Sequence, residues 1–141
     1  MIPKIGIKLT FVIAFLFSFP MFGQEQKYNG DPDSSFERAR ELAFNKQRKQ
    51  AQDTLLSILT KYPNYHEIRS FLATTYSWDG EYKKARKEFA TIFEKDTKNK
   101  SIWEAAIKNE LWGDMPYPAL EMTTEALKNF PNDPEILYLK A

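Results

Sequence analysis

From residue 32 onward, apolar side chains recur at spacings of three and four, the pattern of helices that bury one face. Phe36, Ala39, Leu42 and Ala43 form the first stripe, and a polar turn follows near Asn45-Lys46. Ala51, Leu55, Ile58, Leu59 and Tyr62 form the second, which Pro63 ends. Phe71, Leu72, Ala73 and Tyr76 then precede Asp79-Gly80, and Tyr82, Ala85, Phe89, Ile92 and Phe93 mark a partner helix. Ile102, Trp103, Ala106, Ile107 and Leu111 lead to Gly113, after which Ala119, Leu120, Ala126, Leu127 and Phe130 resume the stripe. Asp31-Pro32 and Asp133-Pro134 each place an N-cap acceptor before a proline at N1, where a missing N–H costs nothing. The pattern predicts an all-α chain of helical hairpins.

The hairpins repeat. Ala51, Ala85 and Ala119 stand 34 residues apart, as do Phe44, Trp78 and Trp112. Pro63 and Pro131 lie two such periods apart with Thr97 between them, and Ala39, Ala73 and the pair Ala106/Ile107 fall near one register. One column could arise by chance, but three in phase define a repeat. Small residues at fixed places let two helices approach closely. The units run over 32–65, 66–99 and 100–133, and 134–141 reads as the truncated start of a fourth. That stub offers Ile136, Leu137 and Leu139 without a partner helix, so the sequence is expected to be a fragment of a longer protein; a short capping helix is the alternative. Pro116 and Pro118 predict a remodelled turn in the third unit.

Composition separates the N-terminus from this array. Residues 1–23 have the parts of a secretory signal: Lys4 and Lys8, an uncharged run from Leu9 to Phe19, then Pro20 and Gly23 before Gln24. The run is shorter than the roughly 20 apolar residues a spanning helix needs, so cleavage near Gly23-Gln24 and export are expected. Residues 24–31 form a linker. Without the leader, 118 residues carry 18 Lys+Arg against 19 Asp+Glu, a net charge of −1. A strongly basic nucleic-acid or anionic-membrane binder is therefore disfavoured. Zero cysteine excludes disulfides, thiolate metal sites and lipoprotein processing, and the single His66 is a poor basis for a metal site or a triad.

The 34-residue pattern resembles the tetratricopeptide repeat family. Ala39 and Ala73 match its small residue in the first helix, and Ala51, Ala85 and Ala119 its alanine in the second. Leu55 and Phe89 match a large residue four positions later, Pro63 and Pro131 its closing proline, and Trp103, Tyr76 and Ala126 further signature positions. Gly80-Glu-Tyr-Lys-Lys-Ala85 is similar to its turn between helices, whereas Ile107 and Thr123 depart from it. The resemblance implies a right-handed α-solenoid of three full repeats plus the start of a fourth. The leader followed by Tyr76-Ser-Trp-Asp-Gly80 looks more closely like YaiO-type outer-membrane proteins, which join periplasmic repeats to a C-terminal β-barrel.

No motif for catalysis is present: no phosphate-cradling glycine loop, no H-E-x-x-H, no G-x-S-x-G and no metal-spaced carboxylates. Glu94 and Asp96 read as a solvated helix end, and His66 as a surface residue. No catalytic, cofactor or metal residue is assigned. The resemblance implies that the first helices line a concave groove, with Asp33, Phe36, Arg40, Ala43 and Phe44, then Glu67, Ser70, Thr74, Ser77 and Trp78, then Ser101, Glu104, Lys108, Leu111 and Trp112. Phe36, Arg40, Phe44, Thr74, Trp78, Lys108 and Trp112 are the candidates to hold a protein or peptide segment, with aromatic anchors and charged guides. The rings of Phe44, Trp78 and Trp112 could equally cover the turn as packing. Arg40, Thr74 and Lys108 do not match the family's two-carboxylate clamp. The expected function is a non-catalytic periplasmic interaction or spacer module, tied to the outer membrane only through a barrel not in this sequence. A regulatory arm of an exported enzyme, and a free-standing binding protein, are the alternatives.

Overall fold

A computed structural model describes residues 28–140. The expected leader over residues 1–23, residues 24–27 of the linker and Ala141 lie outside the described residues. Seven helices follow one another: α1 (Pro32–Phe44), α2 (Arg48–Lys61), α3 (His66–Trp78), α4 (Tyr82–Phe93), α5 (Lys100–Trp112), α6 (Pro116–Asn129) and α7 (Pro134–Lys140). There is no strand among the described residues, and no helix long and apolar enough to cross a membrane.

Each odd helix packs on the even helix after it, and each even helix on the next odd one. α3 also touches α5, and α5 touches α7, so the odd helices line one side of the stack. The core is a series of three clusters, with Phe36, Leu55 and Leu72 in the first, Phe89, Ile92 and Ile102 in the second, and Trp103, Ile107 and Ile136 in the third. The alanine columns lie inside the stack, for Ala39, Ala51, Ala73, Ala85 and Ala106 are fully buried. Any larger side chain there would force the helices apart. Ile136, expected to lack a partner, is fully buried against α5 and α6, whereas Leu137 is exposed.

The turns within the three hairpins are the same object. Lys46, Gly80 and Asp114 take φ of 63°, 74° and 56°, and the residue after each donates its N–H back to Leu42, Tyr76 and Glu110 at 2.8, 2.8 and 2.9 Å. Lys46, Gly80 and Asp114 themselves donate to Ala43, Ser77 and Leu111. This is the paired hydrogen-bond closure of a helix by a left-handed residue. The remodelling expected in the third unit is therefore overturned. Pro116 and Pro118 fall at N1 and N3 of α6, where the backbone N–H has no intrahelical acceptor, so neither proline disturbs the turn.

The caps at Asp31 and Asp133 form as expected. Asp31 accepts from the Ser34 N–H at 2.8 Å, and Asp133 accepts from Glu135 and Ile136 at 3.1 Å each. Between the second and third hairpins lies a buried polar network that no spacing announces. Ser77 Oγ donates to Asn109 Oδ1 at 2.6 Å, and Asn109 Nδ2 donates to Tyr82 O at 3.2 Å and to Glu110 Oε1 at 3.0 Å. Arg86 Nε donates to the same carboxylate at 2.9 Å. Arg86 Nη2 donates to the other oxygen of that carboxylate, and because Glu110 is fully buried its charge is held only by these donors.

Candidate functional site

The side of the stack lined by α1, α3 and α5 carries two adjoining clefts. One, of about 490 Å³, is lined among others by Phe36, Arg40, Glu67, Phe71 and Thr74. The other, of about 250 Å³, is lined by Thr74, Ser77, Trp78, Glu104, Lys108 and Trp112 among others. Thr74, Ser101 and Ala105 belong to both, so the two form one continuous groove. Six of the seven sequence candidates line it directly. The seventh, Phe44, reaches it through Trp78, with ring centroids 5.7 Å apart.

The aromatics are graded from core to surface. Phe36 is buried and meets Phe71 edge-on at 5.6 Å, and Phe71 meets Trp78 edge-on at 5.9 Å. Phe44 is 64% exposed, Trp78 37% and Trp112 53%. Trp103 differs from these: it is buried, stacks on Phe93 at 4.0 Å, and donates its indole N–H to Thr97 O at 2.8 Å. Phe71 escaped the sequence candidates, although a 3.6-residue period places it on one face with Thr74 and Trp78. Conversely, Ala43, which the resemblance implied as a groove position, is buried and lines neither cleft, and Ser77 borders the second cleft but is itself almost wholly buried. Ala43 is core because α1 and α2 close on it, and Ser77 turns its hydroxyl into the Asn109 network. Asp33 accepts a hydrogen bond from the Tyr65 hydroxyl, which pushes that phenol up to about 12.

Two cations stand along the groove. The Arg40 guanidinium lies 5.8 Å from the Phe36 ring and 6.0 Å from the Phe71 ring, with Glu37 at 3.7 Å on its solvent side. Lys108 is exposed beside Trp78 and Trp112 and has no ion-pair partner among the described residues. The neighbouring acids are committed elsewhere. Lys100 holds Glu104, Asp133 and Glu135 at 3.4, 3.2 and 2.9 Å, which raises the lysine's pKa; Asp133 is lowered first by the Ile136 N–H that it accepts and then by this ammonium. Those three carboxylates approach within 4.8 Å of one another, but the ammonium occupies their centre. Glu104 is shifted upward by burial and by Glu135 beside it. His66, read as a surface residue, is half-buried with its Nδ1 3.6 Å from Asp96.

No family profile matches the chain, and no curated protein matches it either. Among solved structures it is similar to the D159K mutant of MamA, a tetratricopeptide-repeat protein, with a TM-score of 0.62 and 17% identity over 82% of this chain and 69% of that one. The fold is that of a tetratricopeptide-repeat solenoid. The groove described above is the side of the solenoid formed by the first helix of each repeat.

Proposed function

We propose that the chain is a non-catalytic module that docks an extended protein segment in the groove of α1, α3 and α5. The observation that carries this reading is the convergence of Phe36, Arg40, Thr74, Trp78, Lys108 and Trp112 on one continuous groove, although they are spread over three repeats. Half-exposed aromatics next to cations are the usual anchors of such contacts. The hydroxyls of Thr74 and Ser101 spend their protons on Ser70 O and Asn99 Oδ1, so they face the groove as acceptors for backbone N–H groups.

The leader composition supports export to the periplasm, and the Tyr76–Gly80 run supports the reading as the N-terminal part of a YaiO-like barrel protein. The experiment is in-cell photo-crosslinking from a probe at Thr74, with Arg40→Glu/Lys108→Glu as the groove variant. One discrete adduct, lost in that variant at unchanged helicity, is expected. Crosslinks that the variant leaves untouched would overturn the proposal.

A further inference from the structure

The groove does not stop at α5. A third cleft, of about 290 Å³, opens between α5 and α7 and is lined by Glu104, Lys108, Pro134, Glu135, Tyr138 and Leu139. Glu104 and Lys108 also line the cleft that holds Trp78 and Trp112, so the two clefts are continuous and the groove reaches α7. Pro134, Tyr138 and Leu139 give the third cleft an apolar wall, and Tyr138 leaves 81% of its surface in water. Such a wall suits a long aliphatic stem, and the face of a phenol ring suits a cation at the end of that stem.

The charge at the base of this cleft points the same way. Glu104, Asp133 and Glu135 converge on Lys100, and Lys108 is the second cation beside them. Three carboxylates against two ammonium groups leave one negative charge in excess. Glu104 carries the consequence. Its Oε1 is buried and accepts no hydrogen bond among the described residues, because Lys100, 3.4 Å away, donates to Glu135 instead. A buried carboxylate oxygen without a donor costs free energy until a cation reaches it. Burial and the neighbouring Glu135 push the Glu104 carboxyl upward, the response of an acid that lacks positive charge around it. We propose that the cleft between α5 and α7 is the subsite for a lysine or arginine side chain of the docked segment. The stem lies against Tyr138 and Leu139, and the charged head reaches Glu104 and Glu135. The inference rests on the docking of a segment in the groove and adds the chemistry of one residue of that segment.

The test titrates the full, isotope-labelled chain with N-acetylarginine amide and with its neutral isostere N-acetylcitrulline amide, read by amide chemical shifts. The arginine compound is expected to move the signals of Glu104, Glu135 and Tyr138 and to bind at least fivefold more tightly than the citrulline compound. Glu104→Gln/Glu135→Gln should lower its affinity at least fivefold with circular dichroism unchanged, and should lower the yield of the Thr74 crosslink by a similar factor. Should the double variant lose helicity, Glu104→Gln alone carries the same test, because it leaves the Lys100–Glu135 hydrogen bond in place. Equal binding of the two compounds overturns the proposal, as does a Thr74 adduct that the variant leaves at full yield. Either result spares the docking of a segment in the groove. That reading falls on a different result, a Thr74 crosslink indifferent to Arg40→Glu/Lys108→Glu.

Discussion

Phe44 and Trp78 hold the same place in successive repeats, 34 residues apart in the chain, and their ring centroids stand 5.7 Å apart at a tilt of 47°. The contact shows how a repeat turns sequence spacing into surface. Each hairpin delivers one aromatic to the end of its first helix, and stacking brings neighbours into van der Waals reach. The same translation carries Trp112 to the cleft it shares with Trp78. The column is neither wholly core nor wholly free, and this decides what its substitutions should do.

The three tryptophans should separate cleanly in urea denaturation. Trp103→Ala removes a buried, stacked and hydrogen-bonded ring and should cost about 3–5 kcal/mol. Trp78→Ala loses edge contacts to Phe44 and Phe71 and should cost about 1–2 kcal/mol. Trp112→Ala should cost less than about 1 kcal/mol because half of the ring is already in water. Equal losses at 103 and 112 would show that the exposed column is structural.

Turn chemistry gives a prediction of opposite signs. Gly80 is the glycine among the three left-handed turn residues, and a Cβ there meets nothing within 4 Å. Gly80→Ala should therefore destabilise by about 1 kcal/mol through backbone strain alone. Lys46→Gly and Asp114→Gly relieve that strain and should stabilise by about 0.5–1 kcal/mol each. Thermal melts of the three variants check the signs.

The Arg86–Glu110 pair should be worth more broken than replaced. Arg86→Met leaves a carboxylate in the core with only the Asn109 amide as donor and should cost about 2–4 kcal/mol, discounted from a fully buried pair because Arg86 is one-third exposed. Adding Glu110→Leu should recover at least half of that loss, since it removes the stranded charge. A double-mutant cycle in denaturant reads the coupling directly.

Acid should loosen the helix starts. Asp31 and Asp133 have folded pKa values below the ordinary 3.8 because backbone N–H groups donate to their carboxylates. Their contribution is therefore fully present above pH 3.8 and is lost as pH falls through the lowered values. Asn keeps the cap without the titrating charge. Asp31→Asn/Asp133→Asn should flatten the stability profile below pH 4, read by chemical denaturation at stepped pH. A profile as steep as that of the unmodified chain would assign the acid sensitivity to other carboxylates.

Much of this was written in the spacing. The alanine columns, the stripes and the prolines at 63 and 131 gave every hairpin, because a helix must bury one face and a stack needs small residues where its members cross. The groove candidates followed from the same register, and they converge. Misreadings occurred where register alone does not fix direction. Ser77 sits at a groove position but hydrogen-bonds inward, and Phe71 was passed over although it joins Phe36 to Trp78. Pro116 and Pro118 looked disruptive because proline breaks helices, yet at N1 and N3 there is no bond for them to break.

The sequence by itself determined the number of hairpins, their period and the face each helix buries, because those depend on side-chain size and polarity at local spacing. Tertiary structure alone decided which polar groups met. Ser77, Asn109, Glu110 and Arg86 come from three helices, and their mutual satisfaction depends on how one hairpin sits on the next. It also decided how much of each aromatic remained in water. Exposure is set by the neighbour that covers a residue, and that neighbour is a full repeat away in the chain.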